Sequence, residues 1–136
     1  MANALYDRGR ESFLRGEISW TSDNIKAVLV DTALYTANLL TDQFLAIIPG
    51  GAVVATSSNF TGKTSASGVA DADDLLYPLV PGTVSVEALV VYQDTGVAAT
   101  SRLVAYIDTA VGLPVTTNGG DIAVIWSAGV NRIFKL

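Results

Sequence analysis

The side chains of this chain that could do chemistry are acidic, and they are thinly spread. Cysteine and histidine are both absent from the 136 residues. That excludes thiolate nucleophiles, disulfides, Cys-ligated zinc and every His-based triad. Asp71, Asp73 and Asp74 make the densest group of carboxylates. A calcium loop would require a Gly and a later Glu at fixed offsets, and neither is present, so the group is expected to be a solvated acidic turn. Asp31, Asp94 and Asp108 each open an Asp-Thr pair directly after an apolar run. Side chains of this kind bond nearby backbone N–H groups and stop strands. A calcium site would need all three at one end of a sheet.

Other motifs are incomplete. Gly62-Lys63-Thr64 has the ending of a phosphate-binding loop, but Ser57 stands where the earlier Gly belongs, and no strand runs into a helix there. Only Glu11, Glu17 and Glu87 are glutamates, a thin inventory for paired-carboxylate cleavage of sugars. Glu87 is expected at the surface or paired with Arg102 across a hairpin, for at most about 1 kcal/mol. Trp20, Tyr35 and Tyr77 are the aromatics on which a sugar could stack. No reaction centre assembles, and no cofactor or metal is expected.

Composition narrows the classes further. Half of the residues are apolar and 15% are charged, so a packed core is expected over most of the length. Eight basic against thirteen acidic residues give a net charge of −5, which lacks the basic footprint for nucleic acid. Asp7, Arg8, Arg10 and Glu11 occupy the place of a signal peptide's apolar segment. Pro78, Pro81 and Glu87 interrupt the longest apolar neighbourhood, so no membrane span is expected. The expectation is a soluble protein made in the cytoplasm.

The elements that would position these residues are mainly strands. Val84, Val86, Ala88, Val90 and Tyr92 alternate with Ser85 and Glu87, while Leu89 and Val91 make the other parity apolar too. This pattern predicts a central strand covered on both faces, turning at 94–99 into a second strand over Leu103–Ile107. Ile25–Val30 is a further strong strand, and shorter ones are expected at 18–20, 52–56, 75–80, 122–126 and 133–136. About eight short strands separated by turns predict an antiparallel β-sandwich or a small open barrel. Asn3–Arg15 is predicted as the one helix, capped by Asn3 and ended by Gly16, with Leu5, Tyr6, Gly9, Phe13 and Leu14 as its apolar stripe. Gly9 weakens it by about 1 kcal/mol relative to Ala, so packing must hold it.

Several segments together resemble a family of small virion proteins of tailed bacteriophages. They are Met1–Asp7 with Gly9-Arg10, Ser22–Thr32, Ser101–Thr109, Gly112–Thr116, and Asn118–Asp121 continuing through Trp126 to Ile133–Leu136. The resemblance implies a structural part of the particle, foremost a head decoration (cement) protein on the virion capsid. Its partners would be the major capsid protein and, as a dimer or trimer, further copies of itself. A tail or neck component is the alternative within that class, and a carbohydrate- or receptor-binding β-sandwich the alternative outside it. Residues 1–20 are expected to form an assembly arm and 21–136 a single β domain. Leu5, Tyr6, Phe13, Leu14 and Trp20 are the arm's candidate partner-binding residues. They cover either a neighbouring subunit or an open face of the same sandwich.

Overall fold

The computed structural model describes residues 3–130 and 132–136. Its centre is a five-stranded antiparallel sheet in the order β1 (Ala4–Leu5), β9 (Leu103–Ile107), β8 (Ala88–Gln93), β2 (Ile25–Val30), β3 (Val53–Thr56). Strand β8 is the middle of it, paired to β2 from Ile25↔Gln93 to Val30↔Ala88 and to β9 from Leu89↔Ile107 to Tyr92↔Leu103. Every residue of β8 and β9 is buried. The period-two alternation explains this: Leu89 and Val91 enter one core, and Ala88, Val90 and Tyr92 enter the other.

The two cores are covered differently. On the Leu89 side lie three small antiparallel sheets: β7 (Ser85–Val86) with β10 (Val115–Thr116), β6 (Leu75–Tyr77) with β11 (Ile122–Val124), and β12 (Phe134–Lys135) with β5 (Val69–Asp71) and β4 (Thr64–Ala66). On the Val90 side lies the segment 31–52, which contributes Tyr35, Ala37, Ile48 and Ala52 and contains two 3-10 turns, Leu45–Ile47 and Gly50–Ala52. The sheets remain open, so of the two expected architectures the sandwich-like one is observed.

Four local expectations change. The helix α1 spans Asp7–Leu14, and Ala4–Leu5 ahead of it is a strand rather than helix. Asn3 does not cap the helix; its Oδ1 accepts the N–H groups of Asp108 and Thr109 at 2.8 and 3.2 Å, fixing the start of β1 beside the end of β9. The predicted strand Val84–Tyr92 is broken at Glu87, where the chain leaves the small β7/β10 sheet for the central one. Residues 18–20 are not a strand, because Ile18 and Trp20 are core residues held on a turn.

Candidate functional site

The five predicted arm residues separate once the chain folds. Leu5 is buried through β1. Tyr6 is buried in the other core, where its hydroxyl lies 2.8 Å from that of Tyr35, which donates at 2.8 Å to Asp42 Oδ2. Trp20 is buried as well: its Nε1 donates to the Asp71 carbonyl at 3.2 Å, and its ring meets Phe60 and Phe134 edge-on at 5.9 and 5.2 Å. Leu5, Tyr6 and Trp20 are therefore occupied within their own chain, because the apolar area of this segment faces β9 and the aromatic cluster. Phe13 is half-buried against Phe134 at 6.1 Å. Leu14 alone of the five points outward, 86% exposed. The helix begins at Asp7, so its inward face is Gly9, Ser12 and Phe13, and Leu14 lies one residue further round.

The carboxylates have structural employment. Asp74 Oδ1 accepts the Trp126 backbone N–H at 2.9 Å, the Asp73 carbonyl accepts Trp126 Nε1 at 3.0 Å, and Asp73 Oδ2 accepts the Thr61 hydroxyl at 2.9 Å. Asp71 pairs with Arg132 at 3.4 Å. The acidic turn is thus stitched to both tryptophans. Asp31 Oδ1 accepts the Ala33 N–H and Asp94 Oδ1 accepts the Gly96 N–H, each at 3.0 Å, as strand-stopping aspartates do. Antiparallel order also sends Asp94 to the opposite end of the sheet from Asp31 and Asp108. Among the described residues, no three carboxylates gather in a way that could hold a metal ion.

Glu87 and Arg102 do not pair. Register places Glu87 at the Ile107 end of the hairpin and Arg102 at the other end. Glu87 Oε1 instead accepts the Thr32 hydroxyl at 3.1 Å, and Arg102 pairs with Glu17 at 3.4 Å. Asp94 is held below the usual carboxylate range, first by the Gly96 N–H and then by Lys26, whose Nζ lies 2.9 Å away. Lys63, whose ammonium donates to the Asp23 carbonyl, is pushed down by burial. The aromatics proposed for sugar stacking are interior: Tyr35, Tyr77 and Trp20 are all buried, and Tyr77 donates to the Ala27 carbonyl at 2.9 Å.

An apolar surface does stand open, on the outer side of the small β6/β11 sheet. Leu76 lies directly across from Ala123, Ile125 follows two residues on, and Val111 bridges to Ile125. Residues two apart, and residues opposite one another, share a face of a pleated sheet. Leu76, Ile125 and Val111 are 57, 46 and 61% exposed, and Ala123 is exposed too. The inward parity, Leu75, Tyr77, Ile122 and Val124, fills the core. The sequence signal for this face was apolar residues on both parities of 75–77 and 122–125, which a free surface strand would not have.

No helix among the described residues is long and apolar enough to cross a membrane. Comparison of the chain with known protein families and with curated proteins finds no match.

Proposed function

We propose that this chain is a non-enzymatic structural protein of a tailed-bacteriophage virion, a decoration protein that binds the major capsid protein and reinforces the head. The observation that carries the reading is the apolar outer face of β6/β11. The outward residues Leu76 and Ala123 of this sheet, with Ile125 and Val111 in the bridge beside it, leave apolar area in water that a protein partner would cover. Leu14, at the end of α1, offers a second outward apolar contact.

Two further features agree with it. The segments that resemble phage virion proteins supply β1, the start of α1, β2, β9, β10, β11 and β12, so the likeness falls on the framework and not on a catalytic motif. The carboxylates Asp31, Asp71, Asp73, Asp74 and Asp94 are each bonded into the fold. A sugar-binding platform built on Tyr35, Tyr77 or Trp20 has no support, since all three lie in the cores.

The test is quantitative mass spectrometry of purified virions, with imaging of the whole particle to locate the chain's density. A decoration protein is present in copies comparable to the shell protein and lies on the head. Absence from virions overturns the reading. A few copies, or one ring at the neck or along the tail, would replace it with the tail-component reading.

A further inference from the structure

A groove runs across the face where the two ends of the chain meet, and its ends carry opposite charge. One end is a pocket of about 340 Å³ lined by Arg10, Arg132 and Lys135. The other, also about 340 Å³, is lined by Asp71, Asp73 and Asp74. Between them a smaller pocket of about 230 Å³ shares Arg132 with both. The Arg132–Asp71 pair marks the divide. Arg10 is braced by Asp7 at 2.9 Å, and among the described residues Lys135 has no ion-pair partner. Arg10 and Lys135 thus lie at one end of the groove and Asp73 and Asp74 at the other, with the Arg132–Asp71 pair between them.

We propose that this groove is a two-fold contact between two copies of the chain. A two-fold axis places the same patch on both partners, so a residue at one end of the patch meets the other end of its mate. A groove with a basic and an acidic end is complementary to itself under that operation and under few others. With the axis near Arg132, Lys135 and Arg10 of each copy face the Asp73 and Asp74 turn of the other. The chain carries −5 overall, so two copies repel at a distance and the local pattern must supply the attraction. Charge on the rim sets orientation and partner choice more than affinity. The apolar area comes from the adjoining hollow beside the basic end, where Phe13, Phe134 and Leu136 are incompletely covered. This contact does not depend on what the protein coats.

The test is sedimentation equilibrium of the full chain at low and high salt, alone and in mixtures. Lys135→Glu and Asp73→Lys are both at exposed positions. Each alone sets like charge against like at both ends of the dimer. Mixed one to one, they form a pair in which both contacts between positions 135 and 73 are again opposite in sign. The expected result is self-association that weakens as salt rises. It should weaken by roughly tenfold or more in either variant and return in the mixture. Circular dichroism verifies that each variant folds. Should loss of the Thr61 bond unfold Asp73→Lys, then Ala128→Lys, at an exposed position on the acidic end, takes its place. A chain that stays monomeric overturns the proposal. So does self-association indifferent to both reversals, or a mixture no stronger than its components. A salt-sensitive dimer absent from virions would uphold this contact while removing the decoration reading, and a monomer abundant on heads would do the opposite.

Discussion

Gly9 of α1 rides so close on β9 that a Cβ there would lie 2.6 Å from the carbonyl oxygen of Leu103. The other near atoms, the Val104 Cα and carbonyl oxygen at 3.2 Å, are also backbone and cannot swing aside. This glycine therefore admits the helix to the sheet. In an exposed helix Gly9→Ala would add about 1 kcal/mol of helix stability. Here the added methyl forces the elements apart, and a net loss of about 1–3 kcal/mol is expected, as for other overpacked contacts. Chemical denaturation of the two proteins measures it; a stabilised variant would mean that α1 does not rest on β9.

Removing one hydroxyl should unsettle the second core. Tyr35 links Tyr6 to Asp42, and Asp42 Oδ2 also accepts the Asn38 N–H at 2.9 Å. Tyr35→Phe leaves the Tyr6 hydroxyl and one lone pair of a buried carboxylate without their partner, at a cost of about 1–3 kcal/mol. Because the groups form a chain, Tyr6→Phe in the same background should cost less than it does alone. A double-mutant cycle reads that coupling.

All five tyrosines are buried, and burial pushes every hydroxyl above its ordinary value, Tyr92 to about 12. A neutral tyrosine favoured in the folded state contributes stability that is complete below pH about 10 and is lost as pH climbs through the folded pKa. The expected outcome is a native protein with almost no phenolate absorbance at pH 10. Ionisation should then rise together with loss of the near-ultraviolet dichroism at higher pH. A gradual titration centred near 10 in the folded protein would contradict the buried placement.

At the acid end the sign reverses. Asp94 is depressed, so its contribution is present above the ordinary carboxylate range and fades as pH falls through its folded value. Asp94→Asn should remove part of the acid sensitivity and little else. The ion pair with Lys26 is partly exposed and contributes at most about 1 kcal/mol. Comparison of melting temperatures across the acid range decides this.

Substitutions on the outer face separate folding from binding. Leu76→Ser, Ile125→Ser and Leu14→Ser sit at exposed positions and should each move stability by no more than about 0.5–1 kcal/mol. If the face meets the shell, the double variant Leu76→Ser/Ile125→Ser should lose most of its occupancy on purified heads. Deletion of residues 2–16 should behave oppositely: it strips β1 and α1 from β9 and opens both cores, so cooperative folding itself is expected to fail.

The central sheet was legible because its signal is local. Ile25–Val30, Ala88–Gln93 and Leu103–Ile107 are apolar on both parities, and a strand covered on both faces must read that way. The first residues of the amino-terminal segment are not legible locally, since Ala4 and Leu5 fit the start of a helix equally well. Only the pairings with Tyr106 and Ala105, a hundred residues away in sequence, make them a strand. The same non-locality explains Trp20: nothing near it in sequence announces Phe60 and Phe134. Glu87 illustrates a different gap. Alternation is blind to a strand that changes sheets: Val86 and Ala88 share a parity in the sequence, yet Val86 enters the Leu89 core and Ala88 the Val90 core. The β6/β11 face could have been suspected from its doubled apolar parity, but which side faces out is decided by Leu75 and Tyr77 filling the core.

The order of the central sheet also fixes when this chain can fold. Residues 4 and 5 pair with 106 and 105, and 28 pairs with 90. During synthesis, β1, α1 and β2 emerge long before the strands that complete them, and Leu5, Tyr6, Ile25 and Leu29 then have no sheet to enter. Closing such long loops before any pairing is rewarded makes folding slow. The apolar amino-terminal third thus waits, exposed, until Ile107 is made, and that interval is when the nascent chain is most open to aggregation or to capture by a chaperone.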